Sequence, residues 1–389
     1  MKTILKTLKV RVKDNRKNIL NRMAFEINQV WNAANQETAE NSWLPIPEAG
    51  WVRNNISAFD LQKQLKSIKK ERDFIVGAAS IQEIIAVHAK SRIQFKKDKL
   101  RWRSSGGSRR SLGYVPFKSG ALKYTNGQIK FCGYFFKVWD SYGLSDYTFR
   151  SGSFSEDSRG RWYLNIVVQC EVEQSTGTGE IGIDLGLKTT AVCSDGTTLE
   201  RKQCYRNSEK KLATAQRAKK KKQVKNIHAK IKNQRGDTNH KFSTMLVKQN
   251  SLIVVGDVSS SKLAKTKMAK SVLDAGWYQL KTQLNYKSQG MSTMFMEVNE
   301  SYSTQTCSSC GCISHNSPKG LTGLNKRNWT CSECGVEHDR DINSALNILA
   351  LGHKSLAVGI TKKCSDDANT DNFGDKCQQE ANKKDGLDF

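Results

Sequence analysis

Apolar and polar residues alternate along KTILKTLKVRV, residues 2–12, a period of two that predicts a β-strand. From about Asn15 to Arg92 the period lengthens to three or four, with Leu and Ile at helical spacing and Trp31 and Trp51 expected to anchor the helical block. Pro45 and Pro47 in NSWLPIPEAG predict a loop inside that block, because proline blocks helix continuation. From Arg101 the texture changes to RWRSSGGSRRSLGYVPFKSG, QIKFCGYFFKVW and WYLNIVVQCEVE, aromatic and β-branched runs joined by glycine-rich connections, which read as a β-rich module. IGIDLGLKTTAVCSDG then reads as strand, tight turn and strand. In EKKLATAQRAKKKKQVKNIHAKIKNQR, Leu212, Val224, Ile227 and Ile231 are compatible with one helical stripe. SLIVVGDV predicts a buried strand, SVLDAGWYQLKTQLNYK a helix and STMFMEV a strand. DRDINSALNILALGH predicts a helix with Ile342, Leu346 and Ile348 or Leu349 on one face, and the polar stretch from His353 a disordered tail.

Charge changes the picture from fold to partner. The 389 residues carry 63 Lys and Arg against 37 Asp and Glu, a formal charge of +26 that a polyanion would neutralise. Nucleic acid is the expected partner. An anionic membrane surface competes, but no apolar run of about 18 residues exists and MKTILKTLKVRVKDN lacks a signal peptide's apolar segment, so a soluble cytoplasmic protein is expected. Lys219, Lys220, Lys221, Lys222 and Lys225 crowd the polar faces of their predicted helix, a density that favours phosphate contact over simple solvation. Arg101, Arg103, Arg109 and Arg110, interleaved with Trp102 and Tyr114, could grip a sugar-phosphate backbone and stack on bases; a solvated basic loop is the alternative.

Eleven cysteines in a chain without an export signal point to metal before disulfides. Cys307, Cys310, Cys331 and Cys334 form C-x2-C-x20-C-x2-C, four thiolates for a tetrahedral Zn2+ with no open position, hence a structural ion. Gly311 and Gly335 follow each second cysteine, where a backbone N–H turned toward sulfur benefits from the missing Cβ, and Cys312 is spare. Cys132, Cys170 and Cys193, each in a strand-like run, read as small hydrophobes.

Two aspartates complete the chemistry that the residues themselves suggest. Asp184 ends a strand in GIDLG, where it either caps the turn or meets a cation; Asp341 starts a helix, where N-capping is the alternative. Two-metal phosphodiester chemistry gathers such carboxylates on Mg2+ from separate elements, which suits a chain with this positive surplus. Actin-like and Hsp70-like ATPases also use a GIDLG-type turn, but they require a second Asp-Gly phosphate loop and a glycine motif for adenosine that the chain lacks.

RSLGYVPF, GIDLGLKTTAV, KNIHAKIKNQR with HKFSTMLV, VVGDVSSSKL with KSVLDAGW, EVNESYSTQTCSSCG and WTCSECGVEHDRDINSALNILALGH, in this order from about residue 90 to 360, resemble the TnpB (OrfB) proteins of insertion sequences. These are RNA-guided nucleases related to type V CRISPR effectors. The resemblance implies an α/β RNase H-like RuvC nuclease domain with inserted helices and a zinc ribbon. A wedge-like β-barrel with an inserted helical recognition domain would precede it. The expected boundaries are 1–14 for the first strand of the β module, 15–100 for the recognition domain, 101–178 for the rest of the β module, 179–300 for the first RuvC part, 301–337 for the zinc ribbon, 338–354 for the last RuvC helix and 355–389 for the tail. Also implied are a guide RNA from the transposon end, a double-stranded DNA target beside a short motif, no obligate protein partner, and Asp184 and Asp341 as catalytic carboxylates on two Mg2+ ions.

The sequence departs from the family where most members place a glutamate, at the end of LIVVG, because Gly256 has no side chain. Asp257 points to the opposite strand face unless a bulge intervenes. By resemblance to relatives that carry the glutamate some forty residues downstream, the second metal-binding carboxylate is expected at Glu300 in EVNESYSTQT, with Glu297 as the other candidate. A cleavage-deficient, guided DNA-binding repressor is the alternative function.

Overall fold

The computed structural model describes residues 3–46, 50–53, 56–171, 177–320 and 322–366. They divide into two compact units, Met1–Val172 with Lys210–Lys230, and Glu173–Glu209 with Ile231–Phe389.

The first unit runs β1 (Thr3–Val12), α1 (Lys17–Glu40), β2 (Trp43–Ile46), β3 (Gly50–Arg53), α2 (Ala58–Gln64), α3 (Ile68–Glu71), α4 (Ala78–Phe95), β4 (Tyr114–Phe117), β5 (Lys123–Thr125), β6 (Gln128–Phe131), β7 (Tyr134–Trp139), β8 (Phe149–Glu156) and β9 (Trp162–Glu171). Seven of these strands form one antiparallel sheet in the order β4-β8-β9-β1-β7-β6-β5. Strict alternation drives it: Trp162, Leu164, Ile166 and Val168 of β9 are buried, and β1 adds Leu8, Val10 and Val12. The anchoring role expected of Trp31 holds, since the residue is buried in the core of this unit; the side chain of Trp51 lies outside the described residues. Pro45, expected in a loop, lies in a two-stranded ribbon instead, opposite Trp51, while Pro47 lies outside the described residues. A ribbon of two strands has free edges, and an edge tolerates a proline that donates no hydrogen bond.

The second unit's sheet contains β10 (Gly179–Asp184), β11 (Ala191–Cys193) and β12 (Thr198–Leu199). Next in the chain come α5 (Cys204–Arg217) and α6 (Lys221–Gln249), of which Lys210–Lys230 belongs to the first unit, then β13 (Asn250–Gly256), α7 (Ser260–Leu263), α8 (Ala269–Ala275), α9 (Trp277–Gly290) and β14 (Met294–Val298). The cysteine segment contributes β15 (Asn328–Thr330) and β16 (Glu337–Asp339), and α10 (Arg340–Asp366) closes the unit. Five strands order as β12-β11-β10-β13-β14, with β10, β13 and β14 mutually parallel and β11 and β12 antiparallel. Both faces are covered, which explains the unbroken apolar run of β13. Ile181, Ile183, Ile253 and Val255 join a cluster with α6, α8 and α9, whereas Leu252 and Val254 pack with Ile348 of α10.

The basic segment is two helices rather than one. Lys219 adopts a left-handed conformation (φ 53°) and the Lys220 N–H reaches back to the Ala215 carbonyl, a C-terminal stop that separates Leu212 from the stripe of Val224, Ile227 and Ile231. Helix α10 runs past 354 to Asp366, because Leu351 and Leu356 pack against the cluster of Val254 and Val298; residues 355–366, expected in the tail, are therefore helical. Cys193 is buried as expected, while Cys132 and Cys170 are half-buried.

Gly182 of β10 lets α10 approach closely. A Cβ there would lie 2.0 Å from the Ala345 carbonyl oxygen and 2.8 Å from the Leu349 nitrogen. The glycine of GIDLG therefore opens space for a helix. Gly182→Ala is expected to destabilise this unit by about 1–3 kcal/mol through overpacking against backbone. Urea unfolding of the full chain measures it, and an unchanged midpoint would rule out tight seating of α10.

Candidate active site and metal centre

Strand parity decides which side chains meet α10. Gly182 and Asp184 share one face of β10, opposite Ile181 and Ile183, and Leu252, Val254 and Gly256 share the corresponding face of β13. Asp184, enclosed although part of its surface reaches solvent, accepts a hydrogen bond from Ser344 of α10 at 3.0 Å. Asp339 caps α10 by accepting from the N–H groups of Asp341 and Ile342 at 2.9 and 3.0 Å. Capping is thus done two residues earlier and Asp341 is released from it. Its carboxylate is held by Arg327 and, at 2.9 Å, by Arg340.

Glu300 follows β14 and lies over Gly256. A Cβ at 256 would sit 2.3 Å from Glu300 Oε2 and 3.2 Å from its Cβ, so the carboxylate fills the room that glycine leaves. The ladder between β13 and β14 runs in regular register from Leu252↔Met294 to Gly256↔Val298, and the Asp257 N–H continues it to the Val298 carbonyl. No bulge turns Asp257 into the site. Glu297, opposite Val255, instead pairs with Lys281 of α9 at 2.5 Å.

The carboxylates act on one another electrostatically. Burial pushes Asp184 up to about 6, the charge of Asp341 adds to the rise, and the Ser344 hydroxyl with Arg340 and Arg327 opposes it. Burial pushes Glu300 up to about 7, the charges of Asp184 and Asp257 add, and Lys281 opposes. Glu300 Oε2 is buried without a hydrogen-bond partner. An orphaned carboxylate oxygen, in reach of a second enclosed carboxylate's charge, is a donor set that fits a hard divalent cation.

Four cysteine sulfurs converge separately. The Sγ atoms of Cys307, Cys310, Cys331 and Cys334 all lie within 4.8 Å of one another, with Cys307–Cys334 at 3.6 Å and Cys310–Cys331 at 3.7 Å. These separations exceed a disulfide bond and match the edge of about 3.8 Å expected for tetrahedral thiolates around an ion of zinc's size. Gly311 and Gly335 adopt φ of 77° and 73°, but their N–H groups donate to the carbonyls of Cys307 and Cys331; the N–H groups aimed at sulfur include those of Cys312, Glu333, Cys334 and Val336. His338 Nε2 lies 3.0 Å from Cys307 Sγ, a contact that the C-x2-C spacing does not announce.

The basic candidates separate into two kinds. Asn28, Trp31, Asn32 and Asn35 on one side of α1 hydrogen-bond to residues 100–105 and pin that segment along the helix. Arg103 is turned inward over the Trp31 ring at 3.8 Å, and Arg110 makes a two-pronged bond of 2.7 and 2.8 Å to the buried Glu156. Both serve the fold. Arg101, Trp102 and Arg109 are exposed, as are Lys219, Lys220, Lys221, Lys222 and Lys225 around the α5–α6 turn. No helix among the described residues is long and apolar enough to cross a membrane.

The pKa of both carboxylates lies above the unfolded values of 3.8 and 4.5, so without metal their ionisation opposes folding at pH 8. Lowering the pH through 7 and then 6 removes that cost, while His88 and His240, whose pKa burial lowers, act in the opposite sense as the pH falls. Glu300→Gln is expected to stabilise metal-free protein at pH 8 by on the order of 1–2 kcal/mol, allowing for partial exposure, and to lose that advantage at pH 5.5. Melting temperature of both forms against pH in chelator measures it, and an advantage that does not shrink on acidification would contradict the assignment.

The OrfB_IS605 family model, described as a probable transposase, matches residues 165–267, and the model of the Cas12f1-like TNB domain matches residues 277–348. A Streptomyces pristinaespiralis protein named "Putative RNA-guided DNA endonuclease" is 32% identical over 220 residues, covering 53% of each chain. The Escherichia coli K12 protein of the same name, InsQ, is 31% identical over 232 residues, covering 52% of this chain and 56% of its own. The chain therefore spans about half the length of the curated relatives it matches. In fold it is similar to the Cas12f1 chain of a cryo-EM complex with sgRNA and target DNA, at a TM-score of 0.55 and 12% identity, covering 89% of this chain and 98% of that one. The two family matches follow one another along the sequence, so residues 165–267 are similar to the OrfB_IS605 proteins and residues 277–348 to the Cas12f1-like TNB domain.

Proposed function

We propose that this protein is an RNA-guided DNA endonuclease encoded by a transposable element, cutting target DNA beside a short adjacent motif by two-metal phosphodiester hydrolysis. The observation that carries the reading is the carboxylate of Glu300 in the space above Gly256, unpartnered and within the influence of Asp184. The five-stranded sheet, with three parallel strands and an antiparallel hairpin, reads as the RNase H-like core of a RuvC domain. Residues 301–337 read as a zinc ribbon whose four cysteines hold one structural Zn2+, and the seven-stranded sheet with residues 15–100 as a wedge-like barrel carrying a recognition domain. The relatives named as RNA-guided DNA endonucleases support a guide RNA and a DNA target for this chain as well; the guide would come from the transposon end and the target would be double-stranded.

Asp184, Glu300 and Asp341 would hold two Mg2+ ions. When bound, such ions polarise the scissile phosphate and lower the pKa of an attacking water. The chain's own contribution would be to bring three carboxylates from separate elements toward one place and to shield them in part from bulk water. Binding the cations also requires Arg327 and Arg340 to share or release Asp341, which they otherwise neutralise. That pairing favours a second reading, a guided binding protein that does not cut. Base pairing with the guide would select the sequence, while Arg101, Arg109 and the lysines of the α5–α6 turn grip phosphates.

Purified complex with Mg2+ and a duplex matched to its copurifying, sequenced RNA is expected to yield cut DNA. Asp184→Ala should abolish cutting while RNA and duplex binding persist. Bound but uncut duplex with the unaltered protein supports the second reading, and absence of any defined RNA overturns both. For the basic residues, replacing Arg101 and Arg109 with Ala should weaken RNA binding several-fold and flatten its salt dependence. Arg110→Ala should instead lower stability by about 2–3 kcal/mol by stranding Glu156. Equal effects of the two changes on RNA affinity at unchanged stability would refute this division.

A further inference from the structure

The three carboxylates belong to three elements, Asp184 to β10, Glu300 to the turn after β14 and Asp341 to α10. A chain of buried hydroxyls joins those elements. Ser344 is fully buried one helical turn beyond Asp341 and donates its single hydroxyl proton to Asp184 Oδ1 at 3.0 Å. Its other contact, 2.9 Å to Ser303 Oγ, must therefore be one in which Ser344 accepts and Ser303 donates. Ser303 is 5% exposed, and its N–H donates to the Glu300 carbonyl at 3.0 Å, closing the turn that carries the glutamate. Helix α10 grips the same turn through its amides: Asn343 donates to the Thr306 carbonyl at 2.8 Å, and Asn347 to the carbonyls of Ser303 and Thr306 at 2.8 and 2.6 Å. The Asn343 carbonyl in turn accepts from the Ser308 N–H at 2.8 Å.

We propose that Ser303 and Ser344 are positioning residues, a two-hydroxyl relay that fixes the Asp184 carboxylate and sets the Glu300 turn in register with α10. Through it, the three carboxylates present a single preorganised geometry to the divalent ions. The proposal rests on the metal-dependent reading above. Its physical basis is that a metal ligand's orientation is set by the hydrogen bond to its other face, and here the donor comes from the helix bearing another ligand. A displacement of the Glu300 turn would thus be transmitted to Asp184 through two direct hydrogen bonds.

Two buried serines could equally serve packing alone, and direct cation binding separates the roles. In the full chain with its copurified RNA, Mn2+ binding followed by electron paramagnetic resonance is expected to weaken about tenfold in Ser344→Ala. The Mg2+ concentration for half-maximal cutting should rise by a similar factor while RNA affinity changes little, and the metal-free melting temperature should fall by a few degrees because Asp184 and Ser303 each lose a buried partner. Ser303→Ala should give a smaller loss, and the double variant should be no worse than Ser344→Ala, since both changes break one chain. Ser344→Thr, which keeps the hydroxyl, should recover most of the Mn2+ affinity and guards against misreading a folding defect. Unchanged Mn2+ affinity in Ser344→Ala, additive losses in the double variant, or a Thr variant that folds but binds as poorly as Ala would each overturn the relay. If the unaltered protein binds no Mn2+ and cuts nothing, the metal-dependent reading itself fails, a result distinct from those three.

Discussion

Everything at the candidate site depends on a piece of absent matter, the side chain that position 256 does not have. Gly256 ends β13 on the sheet face that meets α10, and the Glu300 carboxylate occupies the volume any Cβ there would claim. The two residues are sterically exclusive in their present form: a side chain at 256 and the observed Glu300 conformation do not coexist. The regular ladder up to Gly256↔Val298 sets where the chain leaves β14, and the turn after it swings Glu300 back over the neighbouring strand.

Placing like charges together has an electrostatic cost, and the surroundings show how it is met. Arg327 and Arg340 hold Asp341, Lys281 moderates Glu300 while pairing Glu297, and Ser344 supplies a hydrogen bond to Asp184. These groups lessen the repulsion without removing it, and the enclosed carboxylates remain less acidic than usual. A site in this condition is poised to gain from a cation. Close packing supplies the rigidity: Gly182 and Gly352 let α10 lie directly on β10 and β13, where a Cβ at 352 would lie 2.4 Å from a Val254 methyl.

Much of this was legible in the chain. The period-two runs gave β1 and β9, and the apolar LIVV run gave a strand covered on both sides. The C-x2-C pairs announced four convergent thiolates because ligand spacing within a knuckle is a local property of a tight turn. Less legible were features that depend on a single backbone conformation. Lys219 stops a helix in a run of lysines that are otherwise good helix formers, and Pro45 sits in a strand because that strand has an open edge. Arg103 and Arg110 looked interchangeable with Arg101 and Arg109 in RWRSSGGSRR. Only the three-dimensional positions of Trp31 and Glu156 distinguish the arginines that the fold engages from those left to solvent.

The sequence by itself determined the charge surplus, the metal-ligand spacing of the cysteines, the vacancy at Gly256 and the strand-end and helix-start aspartates, because each is a matter of residue type and local periodicity. The tertiary structure decided which glutamate answers the vacancy and what surrounds it. Parity along β14 cannot extend past Val298, where the strand ends, so the direction of Glu300 is set by its turn's hydrogen bonds to α10. Ser344 and Asp184 are 160 residues apart in sequence and Ser303 and Ser344 are 41 apart, and they become neighbours only when α10 packs on the sheet. Long-range contacts of this kind carry no local signature, since their partners are chosen by packing rather than by spacing along the chain.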